Sequence, residues 1–333
     1  MPGSASSLPR GRRKSSTTRE VGPAVPDQPA PPSPALAFSS EVAHARLNGR
    51  PVVALESSVL AQGLPAPGNR DAAVRMSAAV RSRGAVPAVT AVVRGVPTIG
   101  LEGGDLDRFL ARMGVSKVSA RDLPWAMASG ADGATTVAAS LALCTLAGIE
   151  VFATGGIGGV HRDGHYDESA DLVELARAPV VTVCAGAKPF LDLAATFERL
   201  ETLGVSVLGY RTDEFPGFLT SHTGLRVPAR AESATEVARA FRALSALRRP
   251  TALLVVQPPP DSMALDVAVV EQAVDIALAH AREAGVTGAG ITPWLLAEMA
   301  QATGGRALAT NLALLETNAA LAGEIAVALA HQP

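Results

Sequence analysis

A chain of 333 residues has room for one large domain or two ordinary ones, and its 48% hydrophobic content is enough for a substantial core. Aromatic residues make up only 4%, so that core is aliphatic and small-residue, which suits helices packed closely on a sheet. A net charge of −2 gives no general pull towards nucleic acid or an anionic membrane, and neither is expected as a partner.

Residues 1–37 are rich in Ser and Pro and carry the basic run RGRRK at 10–14. No apolar segment follows those charges, so the stretch reads as a disordered, solvated extension rather than a signal peptide. Residues 38–333 are expected to form a single domain. An apolar run at 52–55 precedes a helix over 69–83, capped by Asn69 and stopped by Gly84. The β-branched stretch 86–93 reads as a strand, Arg94-Gly95 as a turn into a run at 96–101, and 105–113 as a helix ended by Gly114. Asp122-Leu123-Pro124 opens another helix. The uncharged stretch 133–149 is too short and too polar to span a bilayer, and reads as a buried helix over 134–147.

A strand at 150–153 then enters a glycine-rich loop, Ser169 caps a helix over 171–176, and a buried strand follows at 180–184. Pro189 suits the first turn of the next helix, and 205–208 and 251–256 resume the sheet. The remainder is mainly helical, with one helix opened by Pro293 and another over 308–329. This alternation gives an α/β fold, a three-layer α/β/α sandwich with a largely parallel or mixed central sheet. Cys144 and Cys184 each lie in an apolar segment and read as buried free thiols in a reducing, cytoplasmic compartment.

Several chemical templates fail. In G-x-G-x-x-G register the loop Gly155-Gly156-Ile157-Gly158-Gly159 puts His161 where the third glycine belongs. The phrase AGAK at 185–188 has Ala187 where a phosphate-binding P-loop needs glycine, and Pro189 where it needs Ser or Thr. Neither HExxH nor GxSxG occurs. These absences weigh against a nicotinamide dehydrogenase, a P-loop kinase and a serine hydrolase.

What remains is scattered. Glu56, just past the first apolar run, is either a general acid or base at the mouth of the sheet or a carboxylate capping the next turn. Lys117 and Arg121 either recognise phosphate or sit on the surface. Asp163, Asp167 and Asp171, interleaved with His161 and His165, form either a divalent-metal shelf or a solvated loop. Lys188 is either a nucleophilic amine or a lysine snorkelling near a helix start. Asn311 and Asn318 either face solvent or satisfy buried polar groups.

Taken in order, PVVALESS, GAVPA, VSKVSARDLP, GATTVAAS, GIEVFATGGIGGVHR, SADL, VTVCAGAK and LDL resemble the pseudouridine-5′-phosphate glycosidase family. So do ETLGV, TPWLLAEMAQATGG and TNLALLETNAALAGEIA, and the family is related to indigoidine synthase A-like proteins. The resemblance covers essentially all of residues 40–330. It implies reversible cleavage of the C–C glycosidic bond of pseudouridine 5′-phosphate to uracil and ribose 5-phosphate, through a lysine imine with a ring-opened ribose. By the same resemblance Lys188 is the nucleophile, Glu56 the proton donor or shuttle, and Asp167 the ligand of one divalent cation per subunit. That cation is Mn²⁺, with Mg²⁺ or another divalent ion in its place as the alternative. Lys117, Val137, Ser169, Ala170 and Asp171 match substrate-binding positions, Thr154 and His161 join Lys117 around the phosphate, and Asn311 faces the base.

The family further implies a homotrimer and a metabolic link to a pseudouridine kinase. Two departures stand out. Gln62 occupies the position of a family histidine and cannot titrate, and the loop HRDGHYDESADL is short enough to leave Asp163 and Asp167 as alternatives for the metal. Competing readings are a relative acting on another C-glycoside or pigment precursor, and a non-catalytic sugar-phosphate sensor.

Overall fold

The computed structural model describes residues 35–162 and 167–331. Residues 1–34 of the expected extension, together with Asp163 and His165, lie outside the described residues. The folded body begins ahead of the expected boundary at 38. Strand β1 (Ala37–Phe38) already pairs in parallel with Thr98 and Ile99, and the Ser39 hydroxyl accepts from the Val42 N–H to cap α1 (Ser40–Leu47).

Strand β2 (Val52–Leu55), helix α2 (Gly68–Ser82) and strand β3 (Val86–Val93) make the first strand–helix–strand unit. Strand β4 (Val96–Ile99), α3 (Gly103–Leu110), β5 (Val115–Val118), α4 (Leu123–Ala128) and β6 (Asp132–Thr135) follow. Helix α5 (Val137–Ala147) crosses to β7 (Val151–Ala153). Beyond the glycine-rich loop come β8 (Val160–His161), α6 (Ala170–Leu175), β9 (Val181–Cys184), β10 (Leu191–Asp192) and α7 (Leu193–Thr202). The chain continues through β11 (Ser206–Tyr210), β12 (Arg230–Ala231), α8 (Ala234–Ala246) and β13 (Leu253–Val256). It closes with α9 (Val267–Glu283), α10 (Ile291–Ala302) and α11 (Arg306–His331).

The main sheet runs β1-β4-β3-β2-β7-β9-β13-β11-β12, and every neighbouring pair from β3 to β12 is parallel. Strands such as VTVC and LLVV are buried along their whole length, as parallel strands covered on both faces must be. The second half of β3 lies between β4 and β6 and is antiparallel to both, so the sheet is mixed. Crossovers from β2 to β3 and from β11 to β13 run one way along the sheet, and that from β7 to β9 runs the other. Right-handed crossovers therefore put α2 and α8 on one face, bridged by α11, and α6 on the other, where α5 packs against it. Helix α11 is long and apolar enough to cross a bilayer, but its apolar residues pack on α2, α8, β2, β7 and β9.

The direction of winding reverses between β2 and β7. At such a switch point the connections leave in opposite directions and open a crevice at the carboxyl ends of the strands. Leu55 pairs with Ala153 there, so Glu56 and Thr154 leave the sheet side by side.

Three local expectations change. Asn69 does not cap α2: it is buried in the first turn, and its Nδ2 donates to the carbonyls of Leu60 and Leu110. The helix expected from 134 starts at Val137, because Ala134 and Thr135 belong to β6 and the Thr136 side chain supplies the cap. Pro189 lies in a turn before β10, and α7 begins only at Leu193, capped by Asp192. Lys188 is therefore not at a helix start.

Candidate active site

The crevice is a cleft of about 570 Å³, and it brings together Glu56, Lys117, Val137, Thr154, His161, Asp167, Ser169, Ala170, Asp171, Lys188 and Asn311. Arg121 also lines it but is largely exposed and sits beside Asp122. Asn318 is not in the lining. It is buried on α11, where Nδ2 donates to the Thr154 carbonyl at 2.8 Å and Oδ1 accepts from Gln257.

Glu56 is 7% exposed, and each of its oxygens accepts one hydroxyl, Ser58 on Oε2 and Thr154 on Oε1. Behind it lie four fully buried hydroxyls, those of Ser57, Thr90, Thr135 and Ser140, bonded to one another. Ser57 Oγ also accepts from the Thr135 N–H at 2.9 Å, which ties the Glu56 turn to the entrance of α5. A carboxylate held this way faces the cleft with its rotamer fixed.

The glycine-rich loop and the Lys188 turn are zipped together. Ile157 N–H donates to Gly186 O at 3.0 Å, and Lys188 N–H donates to Ile157 O at 3.1 Å. Gly186 has φ +83°, and a Cβ there would lie 1.9 Å from the Pro216 carbonyl oxygen, so no other residue fits without moving backbone. Arg162 braces the same turn, donating to Pro189 O at 2.9 Å and Leu191 O at 3.2 Å while pairing with Glu271. The Lys188 side chain is half-buried in the cleft. Phe218 closes one wall at φ 66°, a left-handed conformation uncommon for a bulky residue.

The opposite wall suits an anion. Helix α5 points its N-terminus into the cleft, and of its first four N–H groups only that of Val137 has no partner among the described residues. Ala138 N–H donates to Asp171 Oδ1 at 3.0 Å, and Gly158 N–H donates to Asp171 Oδ2 at 2.8 Å. Asp171 thus joins α5 to the glycine loop and spends both oxygens doing so. Ser169 caps α6 by accepting from the Asp171 N–H. Lys117 stands nearby on β5; burial holds its amine below the ordinary lysine range, Lys188 pushes it further down, and Asp171 and Glu56 oppose both.

Among the described residues, no cluster of three or more His, Cys, Asp or Glu is preformed for a metal. Of the cleft carboxylates, Glu56, Asp122, Glu168 and Asp171 are engaged, whereas the exposed Asp167 carboxylate has no hydrogen-bond or ion-pair partner among the described residues. One free carboxylate at a rim fits a hard dication that keeps water and borrows substrate oxygens, rather than a dehydrated protein cage. The cysteines take no part: both are buried free thiols, and burial pushes Cys184 up to about 12.

Sequence reasoning overlooked Ser58, Arg162 and Phe218. The first two sit inside the phrases ESS and GVHR beside Glu56 and His161, whereas the backbone strain at Phe218 leaves no mark in composition. A second cavity of about 290 Å³ adjoins the cleft and shares Gln62, Gly63, Phe218, Pro293, Leu296 and Asn311 with it.

The chain is similar to known proteins along most of its length. A family profile described as indigoidine synthase A like protein matches residues 41–328. The pseudouridine-5′-phosphate glycosidase of Gemmatimonas aurantiaca is 61% identical over 291 residues, spanning 87% of this chain and 95% of its own length. The enzyme of the same name from Herpetosiphon aurantiacus is 49% identical, over 88% of this chain and 98% of its own. Among solved structures, the prealnumycin C-glycosynthase AlnA in complex with ribulose 5-phosphate superposes with a TM-score of 0.82 at 39% identity, covering 90% of this chain and 98% of its own. An indigoidine synthase A-like protein from Thermotoga maritima gives 0.83 at 36%, covering 92% and 100%.

Proposed function

The chain belongs to the indigoidine synthase A-like family, and on that footing we propose that it reversibly cleaves the C–C glycosidic bond of pseudouridine 5′-phosphate. The observation that carries this reading is one cleft, at the switch point of the sheet, holding together a fixed carboxylate, Glu56, an anion wall and a half-buried lysine, Lys188. The names of the relatives and the likeness to a C-glycosynthase support it.

Ordinary glycosides lose a heteroatom that accepts a proton and departs. A carbon leaving group has no such exit, so the electrons need another route. Ribose opens first: the C1′–O4′ bond breaks, O4′ takes a proton from Glu56, and the ring nitrogen of uracil feeds electrons through C6 and C5 to C1′. The Lys188 amine then adds at C1′. The added nitrogen passes a proton to the Glu56 carboxylate, and its freed lone pair forms C1′=N as the C1′–C5 bond breaks with its electron pair on C5, which takes that proton from Glu56. Water adds to the imine and releases ribose 5-phosphate and the free lysine.

Lys117, the Val137 N–H, Thr154 and His161 bind the phosphate end in this reading, and Asp171 positions the cradle through Gly158 and Ala138. Ser169 and Ala170 line the sugar side, and Asn311 faces the base. Asp167 would hold a Mn²⁺ or Mg²⁺ ion, which supplies charge neutralisation for substrate oxygens when bound. A homotrimer in the cytoplasm, fed by a kinase that phosphorylates pseudouridine, completes the proposal.

Incubation with ribose 5-phosphate and borohydride should add one reduced pentose phosphate to Lys188, located by peptide mass mapping. Wild type should release uracil from pseudouridine 5′-phosphate, while Lys188→Ala should lose adduct and turnover together, by at least about 10³-fold. Undiminished turnover in Lys188→Ala would sink the mechanism.

A further inference from the structure

The adjoining cavity meets the cleft at a shared border, here called the neck, to which Gln62 and Asn311 both contribute. Gln62 Oε1 and Asn311 Oδ1 are shielded from water and have no hydrogen-bond partner among the described residues. The Gln62 nitrogen donates to Val115 O at 3.3 Å, which anchors that amide to β5. The neck thus holds hydrogen-bonding capacity that the fold leaves unused, as suits the polar edge of a heterocycle. Beyond it the character changes: the walls are Leu64, Leu219, Trp294, Met299, Ala300 and Leu308. The one guanidinium there, that of Arg112, already donates to the Leu64 carbonyl.

We propose that this annex receives an apolar substituent on the leaving base, so that the enzyme accepts C-linked pyrimidine nucleotides bearing an N-alkyl group as well as the unsubstituted base. The proposal rests on the glycosidase reading and extends it to a substrate class. A pyrimidine attached through C5 has both ring nitrogens free to carry such a group, whereas one attached through N1 has only N3. With its sugar phosphate in the cleft and its polar edge in the neck, the base points whichever nitrogen faces α10 into the annex. An alkyl chain there exchanges water for aliphatic wall.

The test compares pseudouridine 5′-phosphate with its N1-propyl and N3-propyl derivatives on wild type and on Ala300→Phe, which fills the annex from α10. One derivative should be cleaved by wild type with kcat/KM within about tenfold of the parent, and Ala300→Phe should cut that value about a hundredfold while changing the parent less than about threefold. Rejection of both derivatives by wild type overturns the proposal, as does an equal loss of parent and derivative in the variant, which would make the annex the seat of the base itself. Retention of the derivative in Ala300→Phe overturns it too. Parent turnover and the Lys188 adduct report separately on the glycosidase reading. If the parent is not cleaved, calorimetry of uracil and its N1-propyl and N3-propyl derivatives carries the same comparison. One derivative should bind about tenfold more tightly than uracil to wild type and lose that gain in the variant; equal binding of both to wild type overturns the annex.

Discussion

Lys117 shows how one side chain reports on the cleft. Burial and the neighbouring Lys188 lower its pKa below the ordinary 10.5. Between the lowered folded value and 10.5 the unfolded chain binds more protons than the folded one, so this residue makes stability rise with pH across that window. Below the window the cost of the buried charge is fully present, and above it the cost is relieved. Lys117→Met should therefore stabilise the free protein at neutral pH, with the gain shrinking as pH approaches 10.5 in urea titrations. The same variant should bind ribose 5-phosphate about tenfold to a hundredfold more weakly. Wild type should take up protons on binding above the lowered pKa, seen as a binding enthalpy that depends on buffer, and Lys117→Met should not. From the residues alone Lys117 stays undecided between phosphate recognition and the surface, because a lone lysine in VSKVSARDLP looks like any surface lysine, and only the family resemblance favours the first. Its burial comes from contacts that no local pattern encodes.

At the scale of elements, the site is assembled by clamps between segments far apart in the chain. Asp171 on α6 holds Gly158 and Ala138 through two backbone N–H groups, and Asn318 on α11 holds the Thr154 carbonyl. Asp171→Asn keeps the size but turns one acceptor into a donor that faces an N–H. We expect a loss of about 1–3 kcal/mol in urea unfolding, together with a raised KM for the phosphorylated substrate. Unchanged stability would show that the clamp does not bear on the cradle. Long β-branched and apolar strands such as VPAVTAVV were readable from their composition, as was the Ser169 cap. Strands β5 and β6, VSKV and DGAT, were not: they are four residues each, polar or glycine-containing, and acquire strand character only by pairing with each other and with β3. Pro189 misled for a related reason, since proline fits a tight turn as well as a first helical turn, and the turn here is set by Arg162 and the Ile157 carbonyl.

At the scale of the whole molecule, strand–helix alternation gave the layers, but the position of the cleft depends on strand order, which alternation does not reveal. Glu56 and Thr154, 98 positions apart, become hydrogen-bonded neighbours because β7 inserts beside β2 after the chain has wound outward to β4. Where the folded body begins can be tested at its edge. A chain starting at Ala35 keeps β1, Ser39 and the half-buried Phe38, over whose ring Arg46 lies at 4.3 Å. One starting at Glu41 loses the edge pairing, the α1 cap and that ring contact together. The cap alone accounts for about 0.5–2 kcal/mol and the cation–π contact for about 0.5–1 kcal/mol. Gly100 packs against Ser39, so closely that a Cβ on it would lie 2.4 Å from Oγ, and this contact is lost as well. The first truncation should therefore match the full chain in melting temperature and in uracil release, whereas the second should melt several degrees lower. A loss of stability already in the chain starting at Ala35 would place part of the fold's support within residues 1–34.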